Sequence, residues 1–126
     1  MPIPATWSPR LLSILRIVAG LALLDHGISK FFNIPPFAGQ MNTLLTVAGC
    51  LEIGGGALIL IGLFTRPVAF VLSGFCAVAY FMVHLPQGFF PLANGGEPAM
   101  LYCFIFLYFS AAGGGVWGAD ASRGAP

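Results

Sequence analysis

Four apolar stretches, each close to the roughly 20 residues a helix needs to cross a bilayer core about 30 Å thick, constrain this chain more than any other feature. They cover residues 11–32, 40–64, 67–85 and 98–117. Ile34-Pro35-Pro36 closes the first, because proline lacks a backbone donor and disfavours helix in the residue before it. Thr65-Arg66-Pro67 reads as a tight turn, with Thr65 the expected N-cap of the third stretch and Pro67 in its first turn. The longest connection, 86–96, contains Pro91 and Asn94-Gly95-Gly96. Pro98 opens the fourth stretch, and Gly113-Gly114-Gly115 is expected to fray its end. The small, polar tail after Trp117 is expected to be disordered.

Composition removes the soluble alternative. The chain is 58% hydrophobic and 7% charged, where a soluble domain carries about 25% charged residues. At 126 residues it is too small to hide that much apolar surface from water, so lipid must cover it. A net charge of +1 gives no basic field for nucleic acid. The expected fold is therefore all-α: one domain over residues 1–126, an integral membrane four-helix bundle with the lipid bilayer as its first partner. Arg16 and Asp25 interrupt the first stretch, which reads as a retained helix rather than a cleaved signal.

Four crossings place both termini on one side with the Thr65-Arg66 turn. That side carries Arg10, Arg66 and Arg123, against Lys30 alone on the other, so the termini are expected to be cytoplasmic. Trp7 and Trp117 fall at the same boundary, and Phe31, Phe32, Phe37, Phe89 and Phe90 crowd the opposite one. The expected location is a bacterial-type plasma (inner) membrane.

Ionisable groups in hydrocarbon are costly, about 2.5–3.5 kcal/mol for a central Arg, Lys or Asp, and normally face the bundle interior. Here they are Arg16, Asp25, His26 and Lys30 on the first helix and Glu52 on the second, with His84 ending the third and Glu97 preceding the fourth. At about 100° per residue, Arg16, His26 and Lys30 fall within an arc of roughly 80°, with Gly20 and Gly27 on its edge. Asp25 points elsewhere, towards another helix or subunit. Glu52 shares a face with Ala48, Gly49 and Gly56, and small residues of this kind let helices approach closely. Gly74, Ala77, Phe81 and His84 form a further face on the third helix. The topology predicts an outward-opening pocket walled by His26, Lys30, His84 and Glu97 and floored by Glu52, with Arg16 reaching towards Glu52.

Plainer readings stand beside this one. Lys30 fits a side chain snorkelling to the interface, and Arg16 with Glu52 fits a structural buried pair. His84 with Glu97 fits a satisfied boundary pair. Tyr80, Tyr102 and Tyr108 fit packing residues with bonded hydroxyls. Cys50, Cys76 and Cys103 form no CxxC and read as small buried hydrophobes. The sequence carries no local metal-ligand spacing, and no metal, haem or flavin motif is expected.

The ordered set resembles the DoxX family of small four-helix membrane proteins. It comprises Arg16, His26-Gly27 and Lys30, then Glu52-Ile53-Gly54-Gly55, then Gly62-Leu63-Phe64-Thr65-Arg66. It continues with Ala79-Tyr80-Phe81 and His84, Asn94-Gly95-Gly96-Glu97, and Trp117 with Asp120. The resemblance implies a four-helix membrane bundle related to the small subunit of a thiosulfate:quinone oxidoreductase, with assembly factors or membrane chaperones in the wider group. The expected function is a quinone-linked oxidoreductase component. His26, His84 and Glu52 are its expected catalytic groups, Arg16, Lys30, Glu97, Asn94 and Tyr80 its ligand-binding groups, and Asp25 a structural polar residue. A quinone is the expected cofactor, with a partner redox protein and a homodimer as expected partners. The alternative is a non-catalytic assembly factor or small-molecule-binding module using the same pocket.

Overall fold

The computed structural model describes residues 2–124, which are helical and contain no β-strand. Helix α1 spans Ser8–Phe32 and α2 spans Thr43–Ile61. Helix α3 spans Thr65–Ala79 and runs on through a π turn, Tyr80–His84, and a 3-10 turn, Leu85–Gln87. A single helical turn, α4, covers Pro91–Asn94, α5 spans Glu97–Ala112, and α6 covers Ala119–Ser122. Ala5–Phe32, Thr43–Ile61 and Thr65–Gln87 are each long and apolar enough to cross a membrane. Helix α5 is apolar but has 16 residues, about 24 Å at 1.5 Å per residue. This is a helical membrane protein.

The helix ends follow from local chemistry. Asn33 takes a left-handed conformation at the end of α1 (φ 58°), and its side-chain oxygen accepts from the Phe37 N–H at 2.7 Å. The Asn42 carboxamide caps α2 by accepting from Leu45 N–H at 2.9 Å, which is why α2 starts three residues later than expected. Gly62 ends α2 at φ 72°, a region that costs glycine nothing.

Helices pack in two tight pairs, α1 against α2 and α3 against α5. Glycines make the first pair. A Cβ on Gly20 would lie 2.7 Å from Leu60 N, and one on Gly56 would lie 2.8 Å from Leu24 N, so the two backbones are in direct contact. Across the second pair the Ser73 hydroxyl donates to Cys103 O at 2.7 Å. Ala19, Leu23, Ile59, Ala69, Leu72, Cys76, Phe106 and Phe109 form the core that joins the pairs. Large apolar side chains such as Val18, Leu21, Phe70 and Phe104 face outward, as a lipid-covered bundle requires.

The end of the chain differs from expectation. Gly113 stops α5, but Gly114 and Gly115 do not fray, and residues 118–124 are ordered rather than disordered; residues 125–126 lie outside the described part. The tail folds back onto the α2–α3 turn, where Asp120 N–H donates to Gly62 O at 2.8 Å. The Asp120 carboxylate accepts from Phe64 N–H at 2.9 Å and Thr65 N–H at 2.8 Å. Asp120 therefore caps α3 in place of Thr65, which is the first helical residue after Phe64. A long-range cap replaces the local one.

Candidate functional site

Two polar centres sit at opposite ends of the bundle, and their side chains are in opposite states. At the turn end, Arg16 is 1% exposed. Its guanidinium donates to Gly114 O, to Trp117 O at 2.6 Å and to Leu60 O at 3.4 Å. Ser13 donates to Gly114 O at 3.0 Å and accepts from Trp117 N–H at 3.0 Å. A Cβ on Gly62 or Gly118 would come within 2.9 or 2.8 Å of Arg16 Nη1, so a side chain at either position would displace the guanidinium. Arg16 thus ties the ends of α2 and α5 to α1. The expected reach towards Glu52 is not made, because three carbonyls at the turn end take the guanidinium instead.

Burial alone would push the Asp120 carboxyl up, but the Thr65 and Phe64 N–H groups and the nearby Arg123 charge hold it below the usual carboxylate range. A surface hollow of about 570 Å³ next to this centre is lined by Thr65, Arg66 and Asp120 among others. Arg66 Nε there already donates to Ser110 O at 3.0 Å. Little is left for a ligand.

Beyond the contact of Gly55 with Leu72, a cavity of about 660 Å³ lies between α2 and α3. Its walls are mostly apolar, and its polar groups are few. His26, Lys30, Glu52 and His84 all line it, together with Tyr102. Lys30 Nζ and Glu52 Oε1 form an ion pair at 2.7 Å, with side chains 10% and 7% exposed. Lys30 is thus a buried partner, not a snorkelling one. The Phe37 ring stands 5.4 Å from the ammonium and also lines the cavity.

The two histidines are held alike. His26 Nδ1 bonds the Ala22 carbonyl at 2.9 Å, and His84 Nδ1 bonds the Asn94 carbonyl at 3.3 Å. A carbonyl oxygen only accepts, so each Nδ1 carries a proton, and Nε2 is the acceptor whenever the ring is uncharged. His26 also packs edge-on against Tyr102, with ring centroids 6.0 Å apart. The π turn sets His84: Leu85 N–H reaches back to Tyr80 O, one residue further than an α turn. This breaks the expected face, and Phe81 is 63% exposed while His84 lines the cavity.

Other expected ligand groups lie elsewhere. Asn94 is buried, donating to Gly88 O at 2.9 Å and Tyr80 OH at 3.3 Å and accepting from Gly96 N–H at 2.7 Å. Asn94 and Tyr80 support His84 from behind and do not line the cavity. Glu97 is exposed at the start of α5 and is not a cavity wall, because the helix turns it outward while Pro98 and Ala99 face in. Asp25 is exposed too, away from the cavity. Among the described residues no group of three or more His, Cys, Asp or Glu could hold a metal ion.

The DoxX family model matches residues 11–85, which contain Arg16, His26, Lys30, Glu52 and His84. The chain belongs to the DoxX family. It is also 43% identical over 122 residues to an uncharacterized protein of Haemophilus influenzae, a match covering 90% of this chain and 91% of that one. No solved structure matches it.

In this DoxX protein the groups that sequence reasoning passed over are instructive. Tyr102 read as packing yet lines the cavity, and Phe37 read only as a boundary aromatic. Gly114 and Gly118 carried no signal of contact with Arg16, nor Ser13 of its bond to Gly114, since these contacts bridge about a hundred residues of chain. Asp120 did offer one, as a single carboxylate in a tail with little else to bury.

Proposed function

We propose that this DoxX protein is the quinone-binding component of a membrane oxidoreductase, with the quinone ring held in the α2–α3 cavity. The observation that carries the reading is the set of polar groups in one mostly apolar cavity: the Lys30–Glu52 ion pair and two Nδ1-protonated histidines. An apolar pocket of several hundred Å³ with a few convergent polar groups is the usual form of a small-molecule site. A quinone carbonyl needs a donor, which Lys30 or the Tyr102 hydroxyl supplies. A quinol hydroxyl needs an acceptor, which His26 or His84 supplies at Nε2.

Reduction of a quinone takes two electrons and two protons. The histidine rings can take up and release a proton at a ring nitrogen, and Glu52 sits next to Lys30 as a relay. The electrons come from a partner redox protein on the aqueous side. In this reading α5 crosses the membrane alongside α3 as the fourth span. Arg10, Arg66 and Arg123 then mark the cytoplasmic side of a bacterial plasma membrane.

The test is binding of a short-chain quinone to the full chain in lipid nanodiscs, followed by isothermal titration. His26→Ala and His84→Ala should each weaken binding of the corresponding quinol by up to about tenfold, the worth of one hydrogen bond. Fold and helix content should not change. Absence of saturable binding by the wild-type chain would remove the quinone from the proposal. A stably co-purifying protein partner with an empty cavity would favour the assembly-factor reading.

A further inference from the structure

Resting on that reading, we infer that the α2–α3 cleft is the lateral portal for the quinone's hydrocarbon tail, and that Gly74 is the residue that keeps it open. Glycine inside a helix weakens it relative to alanine, so a helical glycine asks for a reason. Gly20, Gly27 and Gly56 have one, because a Cβ on Gly20 or Gly56 would strike a neighbouring backbone and one on Gly27 would strike the Ile53 side chain. Gly74 has none within the protein. It lies inside α3, and a Cβ placed on it would meet nothing within 4 Å. It is exposed, and it lines the cavity.

The surroundings of Gly74 fit a chain rather than a second ring. Val71, Gly74 and Val78 recur at helical spacing along one wall, and Val47, Ala48 and Leu51 do so along the other. Val47, Val71 and Val78 are each more than half exposed, so these walls continue to the lipid-facing surface of the bundle. The charged pair and the histidines belong to the same cavity, so a molecule filling it needs a polar head and an apolar extension. Gly54 supplies an internal control. It too is an exposed glycine inside a helix with open space around it, but it does not line the cavity.

The experiment uses the full chain in nanodiscs and three probes: a tailless quinone, a quinone whose alkyl tail carries a photoactivatable diazirine, and a diazirine phosphatidylcholine. The tailed quinone should label α2 and α3 peptides. Gly74→Leu should cut that labelling by about tenfold or more, as a few misplaced methylenes do in an apolar pocket. Tailless quinone binding should fall much less than tailed-quinone labelling in the same variant. Gly74→Ala and Gly54→Leu should label like wild type. Unchanged labelling in Gly74→Leu overturns the portal while leaving the headgroup site intact. Labelling of the cleft by the phospholipid but not by the tailed quinone overturns it as well. Loss of tailless binding in the wild-type chain defeats the underlying quinone reading, and the portal with it.

Discussion

The Arg16 centre and the Lys30–Glu52 cavity are built from the same kinds of residue, yet one is closed and the other open. Arg16 is enclosed by glycines, and its charge is spent on carbonyls from the ends of two other elements. The hollow of about 570 Å³ at that end is lined by Thr65, Arg66 and Asp120 but not by Arg16. At the other end Lys30 and Glu52 satisfy each other at 2.7 Å, and space for a ligand remains beside them. The difference teaches that burial of charge in a membrane bundle does not by itself indicate chemistry. What distinguishes a site is a polar group with bonding capacity left over and room next to it.

That contrast can be broken in order of expected effect. Arg16→Met should cost most, about 3–5 kcal/mol, because it leaves three carbonyls without their cationic partner in an apolar end of the bundle. Thermal unfolding in detergent measures it, and a stability close to wild type would show that the tail is held by other contacts. The folded fraction should bind ligand as before. Glu52→Gln comes next, at roughly 3 kcal/mol, since it strands the Lys30 ammonium in the cavity. The double variant Lys30→Met with Glu52→Gln should recover most of that loss. If it does not, the pair is not the source of the penalty.

Asp120→Asn is smaller, about 1 kcal/mol, the usual worth of a cap. Its pH behaviour sharpens the test. Asp120 has a depressed pKa in the fold. Its contribution is therefore complete above the ordinary value of 3.8 and fades as pH falls from there through the depressed value. Wild type should lose stability over that acid range, and Asp120→Asn should lose less. An identical acid profile for both would show that this carboxylate is not linked to folding. His26→Ala stands last on the stability scale, under about 0.5 kcal/mol for an exposed side chain, and differs from the others in acting on binding.

Much of the architecture was readable from local chemistry. The break at Ile34-Pro35-Pro36 leaves α1 ending at Phe32 as expected, and Gly20, Gly27, Gly49 and Gly56 marked the α1–α2 contact before any coordinates. Seven-residue glycine spacing is a property of one helix, so one helix's sequence reveals it. The partner of Glu52 was not readable. Helical arcs brought Arg16 and Lys30 equally to the facing side of α1, and only their depths relative to α2 select Lys30. The helix lengths had similar limits. Asn42 and Gly62 trim α2 to Thr43–Ile61, while α5 stops at Ala112, where the fold needs Gly114 to receive Arg16.

The sequence by itself determined that this protein is helical, belongs in a bilayer and turns Arg16, Lys30 and Glu52 inward, because hydrophobic length and the cost of an unpaired charge are local quantities. Tertiary structure alone decided that the tail latches over Arg16, that a π turn presents His84 rather than Phe81, and that α2 and α3 leave a cleft between them. Each of these depends on contacts between segments far apart in the chain, whose geometry no single stretch of residues contains.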